Sequence, residues 1–249
     1  MAIYEQYAAV YDAAGQLAFS QRMIPYLQRL LKRHPAPGTT MAEVACGTGT
    51  VAIAMASAGW RVYGIDASAR MLEQARAKAA DAGVAVQWSQ QDMRSLTLPE
   101  PVHLVTCLYD SINYMLTSDD LATAFGQAYA SLVPGGLYLF DMNTAAVMAT
   151  MWDGETYFTE TDALSVIMAT DYDAQRQRTT VRVTCFERVA ESGLYRKIAE
   201  QHVEQAYPEE HVATLLTDTG FEVEGSYNCF TLSAAAPTTF RIMWAARRL

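Results

Sequence analysis

The sequence has few cysteines, few basic residues and no long apolar run. Its four cysteines lie far apart and form no Cys-x-x-Cys pair, which argues against a zinc site and predicts a reducing compartment. Only 18 of the 249 residues are Lys or Arg, against 27 that are Asp or Glu. The resulting net charge of −9 argues against binding nucleic acid through its phosphates. The longest uncharged stretch, 44–60, contains glycines and hydroxyl side chains and is too short for a membrane span.

The N-terminal segment carries Glu5 and Asp12 and lacks the apolar core of a signal peptide. Hydrophobic residues make up 51% of the chain, so it can bury a sizeable core as one large domain or two small ones. We therefore expect a cytoplasmic protein that acts on a small molecule, with no membrane, nucleic-acid or metal partner. The oligomeric state stays open, with a homodimer as one option.

Strands and helices alternate between residues 41 and 142, after a first helical region of 34 residues. This alternation predicts a parallel sheet with helices on both faces, and a final helix and two strands return to the same pattern. The last two strands are expected to pair as an antiparallel hairpin at the sheet edge. The predicted strands are 41–45, 61–65, 84–89, 102–108, 137–142, 221–227 and 239–246, and the helices that follow them include 51–58, 118–132 and one starting at Pro208.

Between residues 157 and 207 the hydrophobic period falls to two, with turn signals at 171–174 and 191–193. This pattern predicts an antiparallel meander of about three strands. Because α/β character returns after it, we interpret the meander as an insertion. The predicted segments are 1–144 for the helices and most of the α/β domain, 145–207 for the insertion, and 208–249 for the rest of the α/β domain.

A glycine-rich segment, Glu43-Val-Ala-Cys-Gly-Thr-Gly49, follows the first predicted strand. Glycines there let the main chain approach a ligand closely, and the free N–H groups of the next helix favour an anionic group. Asp66, at the end of the second strand, is placed to accept hydrogen bonds from both hydroxyls of a ribose. Asp92 and Met93 follow the third strand and supply an acceptor for an exocyclic amine and a nearby backbone N–H.

Two other interpretations fit the glycine segment by itself. It can be a tight turn, or a dinucleotide site, because Gly47-x-Gly49-x-x-Ala52 with an acid about 20 residues later matches that fingerprint. Against the dinucleotide site, Glu43 places a carboxylate inside the strand, where such a site has no use for one.

Together these segments resemble the class I S-adenosylmethionine-dependent methyltransferases over roughly the whole chain. The glycine loop, Asp66 with Met71, Asp92 with Met93, and the segments 132–136 and 215–221 follow the family's order. Ala45 replaces the first glycine of the family's loop, and an alanine is compatible with that place if its φ angle is negative. The resemblance implies a Rossmann-like α/β fold: a doubly wound, mostly parallel seven-stranded sheet with the inserted meander as a lid.

The resemblance also implies how S-adenosyl-L-methionine is held. Main chain near the glycine loop and after the fourth strand contacts the methionine end, Asp66 accepts the ribose hydroxyls, and residues after the second and third strands surround the adenine. The implied cofactor-binding residues are Tyr11, Glu43, Ala45, Cys46, Gly47, Asp66, Ala67, Met71, Asp92, Met93 and Leu108.

The segment 108–114 after the fourth strand, together with the meander, resembles a branch that contains amino-sugar and glycine N-methyltransferases. In that branch the meander covers the site, and N-terminal tyrosines, here Tyr11 and Tyr7, close over the methionine end. An equal alternative is that the N-terminal tyrosines form one packed helical stripe.

Methyl transfer needs alignment of the reacting groups and a route for a proton. We rank Tyr114 first as proton acceptor or substrate orienter and His202 second, with Tyr109 and Asn113 as substrate contacts. Each side chain also has a structural interpretation, as a packed tyrosine or an exposed strand histidine. The sequence thus predicts methyl transfer to a nitrogen or oxygen of a small metabolite. The alternatives are a protein that binds the cofactor without transferring methyl, and an NAD-dependent oxidoreductase.

Overall fold

The computed structural model describes residues 4–190 and 192–249, so the turn predicted at 191–193 and the start of segment 1–144 lie partly outside the described residues. After two short helical turns, Tyr7–Ala9 and Asp12–Gln16, the described chain contains six α-helices and eleven strands. The helices are α1 (Leu17–Arg33), α2 (Thr50–Ser57), α3 (Ala69–Asp81), α4 (Ser118–Ser131), α5 (Ala145–Thr150) and α6 (Glu209–Thr219). The strands are β1 (Thr40–Val44), β2 (Arg61–Asp66), β3 (Gln87–Gln90), β4 (Val102–Cys107), β5 (Leu132–Asn143), β6 (Thr156–Glu160), β7 (Leu164–Asp173), β8 (Arg178–Arg188), β9 (Tyr195–Gln205), β10 (Phe221–Asn228) and β11 (Arg241–Arg248).

Seven strands form the main sheet in the order β10-β11-β5-β4-β1-β2-β3. The pairs among β1 to β5 are parallel, and both pairs that include β11 are antiparallel. The prediction of a mostly parallel, seven-stranded sheet with an antiparallel pair at its edge is therefore confirmed. Side chains of α1 and α2 pack on one face and those of α4 and α6 on the other, as expected for a sheet covered on both sides.

The inserted meander has four strands, β6 to β9, paired antiparallel in sequence order. The prediction of about three strands is wrong because β6 was missed. All five residues of β6 are exposed, so this edge strand carries no alternation of buried and exposed side chains that a sequence pattern could detect. The N-terminal segment packs on this second sheet, where Tyr7 and Val10 contact the cluster around Leu164 and Ile198.

Several element boundaries differ from the predicted ones, including the starts of β3, β5 and β11, and glycines shape the chain at the starts of β5 and α1. β5 starts at Leu132, five residues before the predicted strand, and continues through the Pro-Gly-Gly segment with Gly135 at φ +76°. α1 starts at Leu17, directly after a bend at Gly15, whose φ of +93° is easy for glycine alone. No helix in the described ranges is both long enough and apolar enough to cross a membrane.

The indole of Trp88 on β3 packs against Gly64 of β2 and against Gly49, which precedes α2. A Cβ at Gly64 would lie 2.3 Å from Trp88 Cε3, and one at Gly49 would lie 2.6 Å from Trp88 Cη2. Both positions therefore need glycine because the indole fills the space that a side chain would occupy.

We predict that Gly64→Ala lowers the free energy of unfolding by about 1–3 kcal/mol, because the added methyl overlaps the indole. Gly126→Ala is the matched control. Its Cβ meets no described atom within 4 Å, and alanine in the interior of α4 should stabilise by about 0.5–1 kcal/mol. Denaturant unfolding measures both changes, and a Gly64→Ala protein as stable as wild type contradicts this packing.

Candidate active site

One cavity of about 660 Å³ lies at the carboxyl ends of β1, β2 and β4. This is the edge of a doubly wound sheet where ligands bind, and the volume is in the usual range for small-ligand pockets. The second sheet lies over the cavity and lines it with residues of β7, β8 and β9. Every predicted site residue except Asn113 lines this cavity.

The glycine loop turns sharply between β1 and α2. Cys46 N–H donates to the Ile65 carbonyl at 2.9 Å, and Gly49 N–H donates to the Cys46 carbonyl at 2.9 Å. Ala45 has a φ of +56°, so the condition of a negative φ at this place is not met. The turn forces an L-residue into the left-handed region, at a cost of about 1–3 kcal/mol. At Gly47 a Cβ would meet no described atom within 4 Å, because this residue faces the open cavity.

Asp66 fastens the loop to the end of β2. Its Oδ2 accepts from Gly47 N–H at 2.8 Å, and its Oδ1 accepts from Ser68 N–H at 2.8 Å. Burial raises the pKa of this carboxyl, and the two backbone donors oppose the shift. Each oxygen keeps a lone pair for a further donor, so the carboxylate can accept hydrogen bonds from two hydroxyls of a ligand.

Glu43 points into the same end of the cavity from β1 and is almost fully buried. Its Oε2 receives no hydrogen bond from the described residues. Burial raises the pKa of Glu43 to about 8, and the nearby Asp66 carboxylate adds to the increase. A buried carboxyl oxygen without a donor is costly in a protein that has no ligand, which makes Glu43 a candidate to bind one.

Asp92 stands at the cavity wall beside Met93, as predicted from its place after β3. Hydrogen bonds from the Arg94 guanidinium, at 3.0 Å to Oδ1 and 2.6 Å to Oδ2, hold the pKa of Asp92 below its usual value. Arg94 also donates to Asp120 on α4. The carboxylate is thus kept ionised and fixed in orientation, ready to accept from an amine.

The remaining predicted cofactor residues line the cavity through smaller contacts. Burial raises the pKa of the Cys46 thiol, so this side chain stays uncharged despite its place before a helix. The other lining residues of this group are Tyr11, Ala67, Met71 and Leu108.

Tyr114 and His202 meet on the opposite side of the cavity. Tyr114 Oη and Tyr4 Oη lie 2.8 Å apart in a hydrogen bond, and the Tyr4 ring centroid is 4.6 Å from that of His202. Burial raises the pKa of Tyr114 well above its usual value, which favours a role as orienter over one as proton acceptor.

His202 is 4% exposed, and neither ring nitrogen has a hydrogen-bond partner in the described part of the chain. Burial lowers the pKa of His202, while Glu200, whose Oε2 lies 3.7 Å from Nε2, opposes the shift. A neutral imidazole that lines a cavity with both nitrogens unpaired can bind a ligand group.

Asn113 is not a cavity residue, and its prediction as a substrate contact is corrected by its hydrogen bonds. Its Nδ2 donates to the carbonyls of Asn143 at 3.0 Å and Gln205 at 2.8 Å, and its Oδ1 accepts from Asn143 N–H at 2.9 Å. The fully buried amide therefore bridges β5 and β9. Tyr109 does line the cavity, with its ring stacked on Phe19 at 3.9 Å between centroids.

A buried cluster of charged groups beside Tyr109 is not evident from the sequence. Arg241 donates to Asp141 Oδ2 at 2.6 Å and to Asp110 Oδ2 at 2.7 Å. Asn143 Nδ2 donates to Asp110 Oδ2 at 2.6 Å and to Glu204 Oε2 at 3.0 Å. The only sequence signal is the spacing of Glu200, His202 and Glu204, which puts three polar side chains on one face of a strand.

The N-terminal segment is fastened over the cavity at two places that the sequence does not reveal. Glu200 accepts from three backbone N–H groups, those of Tyr4 at 2.9 Å, Gln6 at 2.7 Å and Tyr7 at 3.0 Å. Lys78 donates to Asp12 at 2.6 Å, and Thr48 of the glycine loop donates to the same carboxylate. Tyr4, Tyr7 and Tyr11 are therefore both packed together and part of the cavity wall.

Comparisons with known proteins find methyltransferases among the relatives of this chain. A methyltransferase domain matches residues 41–136. A putative methyltransferase of Geobacillus is 28% identical, over 98% of this chain and 99% of the relative. A dTDP-3-amino-3,6-dideoxy-alpha-D-glucopyranose N,N-dimethyltransferase of Streptomyces fradiae is 30% identical, over 56% of this chain and 52% of the relative. The chain therefore carries a methyltransferase domain, and the comparisons support S-adenosylmethionine as its cofactor.

A solved structure resembles the methyltransferase in fold. An S-adenosylmethionine-dependent methyltransferase from Clostridium acetobutylicum superposes with a TM-score of 0.87, covers 99% of both chains and is 22% identical.

The residues of the glycine-loop side fit the cofactor of this methyltransferase. S-adenosylmethionine carries a diol, an ammonium group and an exocyclic amine. Asp66, with one backbone donor on each oxygen, would hold the diol, and the fixed carboxylate of Asp92 would accept from the exocyclic amine. Glu43, which lacks a donor on Oε2, would receive one from the methionine end.

We predict that Asp66→Ala weakens binding of S-adenosylhomocysteine by at least roughly tenfold, because a buried diol loses its charged acceptor. Titration calorimetry measures this change. Asp81→Asn, on the exposed end of α3, is the control and should bind as wild type does. Equal affinities of the Asp66→Ala and wild-type proteins contradict the assignment.

Glu43 makes the stability of the ligand-free methyltransferase depend on pH. Its pKa is about 8 in the folded protein against 4.5 for an ordinary glutamate, so the folded state retains a proton that the unfolded state has lost. The free energy of unfolding should therefore fall as pH rises from 4.5 to 8, by up to about 1.4 kcal/mol per pH unit. Denaturant unfolding across this pH range should show that the free energy of unfolding falls less steeply for Glu43→Gln than for wild type. The control, Glu222→Gln at an exposed position of β10, should follow the wild-type curve. Parallel curves for Glu43→Gln and wild type contradict the buried carboxyl.

Proposed function

We propose that this methyltransferase transfers the methyl group to a nitrogen or oxygen of a small metabolite bound beneath the second sheet. The observation that carries the proposal is the continuity of one cavity from Asp66 and the glycine loop to His202 and Glu204 on β9. A single cavity of this kind lets a cofactor and an acceptor meet without water between them.

S-adenosylmethionine supplies an electrophilic methyl group, whose bond to sulfur breaks as the acceptor's lone pair forms the new bond. The protein holds and aligns the two partners. Tyr4 and Tyr114, joined through their hydroxyls, close the cavity near the acceptor and keep their protons because burial raises the pKa of each. Glu200 holds the backbone of residues 4–7 in the position that completes this wall.

Nitrogen is the acceptor that the charges favour. The guanidinium of Arg241 pairs with two carboxyl groups, those of Asp110 and Asp141, and Asn143 joins a third, that of Glu204, to Asp110. A cationic amine would balance this excess of negative charge, while an alcohol would not. The Streptomyces fradiae relative is by its name an N,N-dimethyltransferase of an amino sugar, which supports the same choice.

A protein that binds the cofactor without transferring methyl would not need a second set of binding groups in the cavity. The unpaired nitrogens of His202 argue against this alternative, because they line the cavity and can bind a group other than the proposed cofactor. A cytoplasmic location and a homodimeric state stay predictions from the sequence.

We predict that the protein, incubated with methyl-labelled S-adenosylmethionine and a fraction of small amine metabolites, forms a labelled product. Mass spectrometry identifies the product, and the corresponding alcohol fraction should give less label. The His202→Phe protein should still bind S-adenosylhomocysteine but lose most of the methyl transfer. The phenyl ring would occupy only the part of the cavity proposed for the acceptor. Tight binding of S-adenosylmethionine with no labelled product in either fraction contradicts methyl transfer to a small metabolite.

A further inference from the structure

Two carboxyl groups from different parts of the fold share one amide on the acceptor side of the cavity. Glu204 lies on β9 of the second sheet, and Asp110 follows β4 of the main sheet. Asn143 Nδ2 donates to Asp110 Oδ2 at 2.6 Å and to Glu204 Oε2 at 3.0 Å, so the two carboxyls stand on either side of a single NH₂ group. Both are more than nine-tenths buried and both line the cavity.

The protein's own donors do not satisfy this pair. Asp141 accepts from Tyr109 N–H, Asp110 N–H and Arg241, so each of its oxygens has at least one donor. A second guanidinium nitrogen of Arg241 donates a hydrogen bond to Asp110 Oδ2. Among the residues that the structure describes, none donates to Asp110 Oδ1 or Glu204 Oε1. One guanidinium among three carboxyls leaves room for a proton or for a second cation.

His202 is an independent sign that a ligand binds here. It precedes Glu204 by two residues on β9, so both side chains are on the same face of the strand. It is 4% exposed, lines the cavity, and has no partner within the described ranges for either ring nitrogen. A polar side chain in that state is normally satisfied by a group that enters the cavity.

Burial makes Glu204 a stronger base than an ordinary glutamate. It raises the pKa of Glu204 to about 8, and the charge of Asp110 raises it further, while the Asn143 amide and Arg241 oppose the shift. A general base works best when its pKa is near the working pH. The charged or titratable groups that face Glu204 are Asp110, Asp141, His202, Arg241, Tyr4 and Tyr114.

We propose that Glu204 is a catalytic residue that, together with Asp110, binds the accepting amine as an ammonium ion and takes one of its protons. In this step an N–H bond breaks, the proton passes to Glu204 Oε1, and the electron pair stays on nitrogen as the lone pair that forms the new bond to carbon. The inference rests on the proposed transfer of methyl to a small metabolite and names the residue that prepares the nitrogen.

Cyclohexylammonium and cyclohexanol are suitable probes, because they have similar shapes and differ in charge. Their binding to protein loaded with S-adenosylhomocysteine is measured by calorimetry near pH 7, in buffers of different ionisation enthalpy. We expect wild type to bind cyclohexylammonium at least roughly tenfold more tightly than cyclohexanol and to release a proton, since the cation drives Glu204 to ionise.

Glu204→Gln keeps an acceptor for Asn143 and should bind S-adenosylhomocysteine as wild type does, yet lose both the tenfold preference and the proton release. Glu160→Gln, on exposed β6 of the same sheet, should retain both. A Glu204→Gln protein that still prefers the ammonium ion or releases the proton overturns the inference. So does wild type that binds S-adenosylhomocysteine but binds neither probe, or binds both equally. Wild type that does not bind S-adenosylhomocysteine refutes the proposed function instead.

Discussion

The burial of carboxyl groups around one cavity is the constraint on which the rest of this site depends. Removing a carboxylate from water is costly unless it is paired, hydrogen-bonded or protonated, and the protein uses each solution at a different place. Asp66 is held by two backbone N–H groups, Asp141 and Asp110 by Arg241, and Glu43 and Glu204 by retaining a proton. Ligands that carry donors or positive charge therefore satisfy groups that the protein alone leaves without partners.

β9 connects this electrostatic constraint to closure of the site. Its alternate residues face the main sheet, and each makes a different contact. Glu200 holds the N-terminal backbone, His202 contacts Tyr4, and Glu204 joins the carboxyl cluster. Because the three side chains share one strand, a shift of the second sheet would move the cavity wall and the acceptor groups together. The inserted sheet and the N-terminal segment are thus joined to each other over the cavity.

The predictable part of the molecule is local in sequence. β1, the glycine loop and Asp66 lie within 27 consecutive residues, and strand alternation fixes which ends meet, so their convergence follows from pattern alone. Arg241 and Asp110 are separated by 131 positions, and nothing near either residue indicates the other. Asn113 shows the opposite error: it lies in the right segment, but its amide bonds backbone groups of β5 and β9 and does not line the cavity. The left-handed φ of Ala45 is equally invisible in the sequence, because the turn and not the residue type sets it.

The cofactor side and the acceptor side of the cavity differ in the same way. On the cofactor side, Asp66 fixes the turn of the glycine loop through Gly47 N–H, so the sequence of the loop is constrained by backbone geometry. On the side proposed for the acceptor, side chains of β7, β8 and β9 face Asp110, Tyr114 and Arg241 of the main-sheet part of the fold. The strands β6 to β9 pair with one another and not with the main sheet, so substitutions in them alter one wall of the cavity and leave the pairing of the parallel strands unchanged. If the proposed function holds, acceptor choice would depend on groups from both sheets, including Glu204 and His202, whereas cofactor binding would depend on the glycine loop and Asp66.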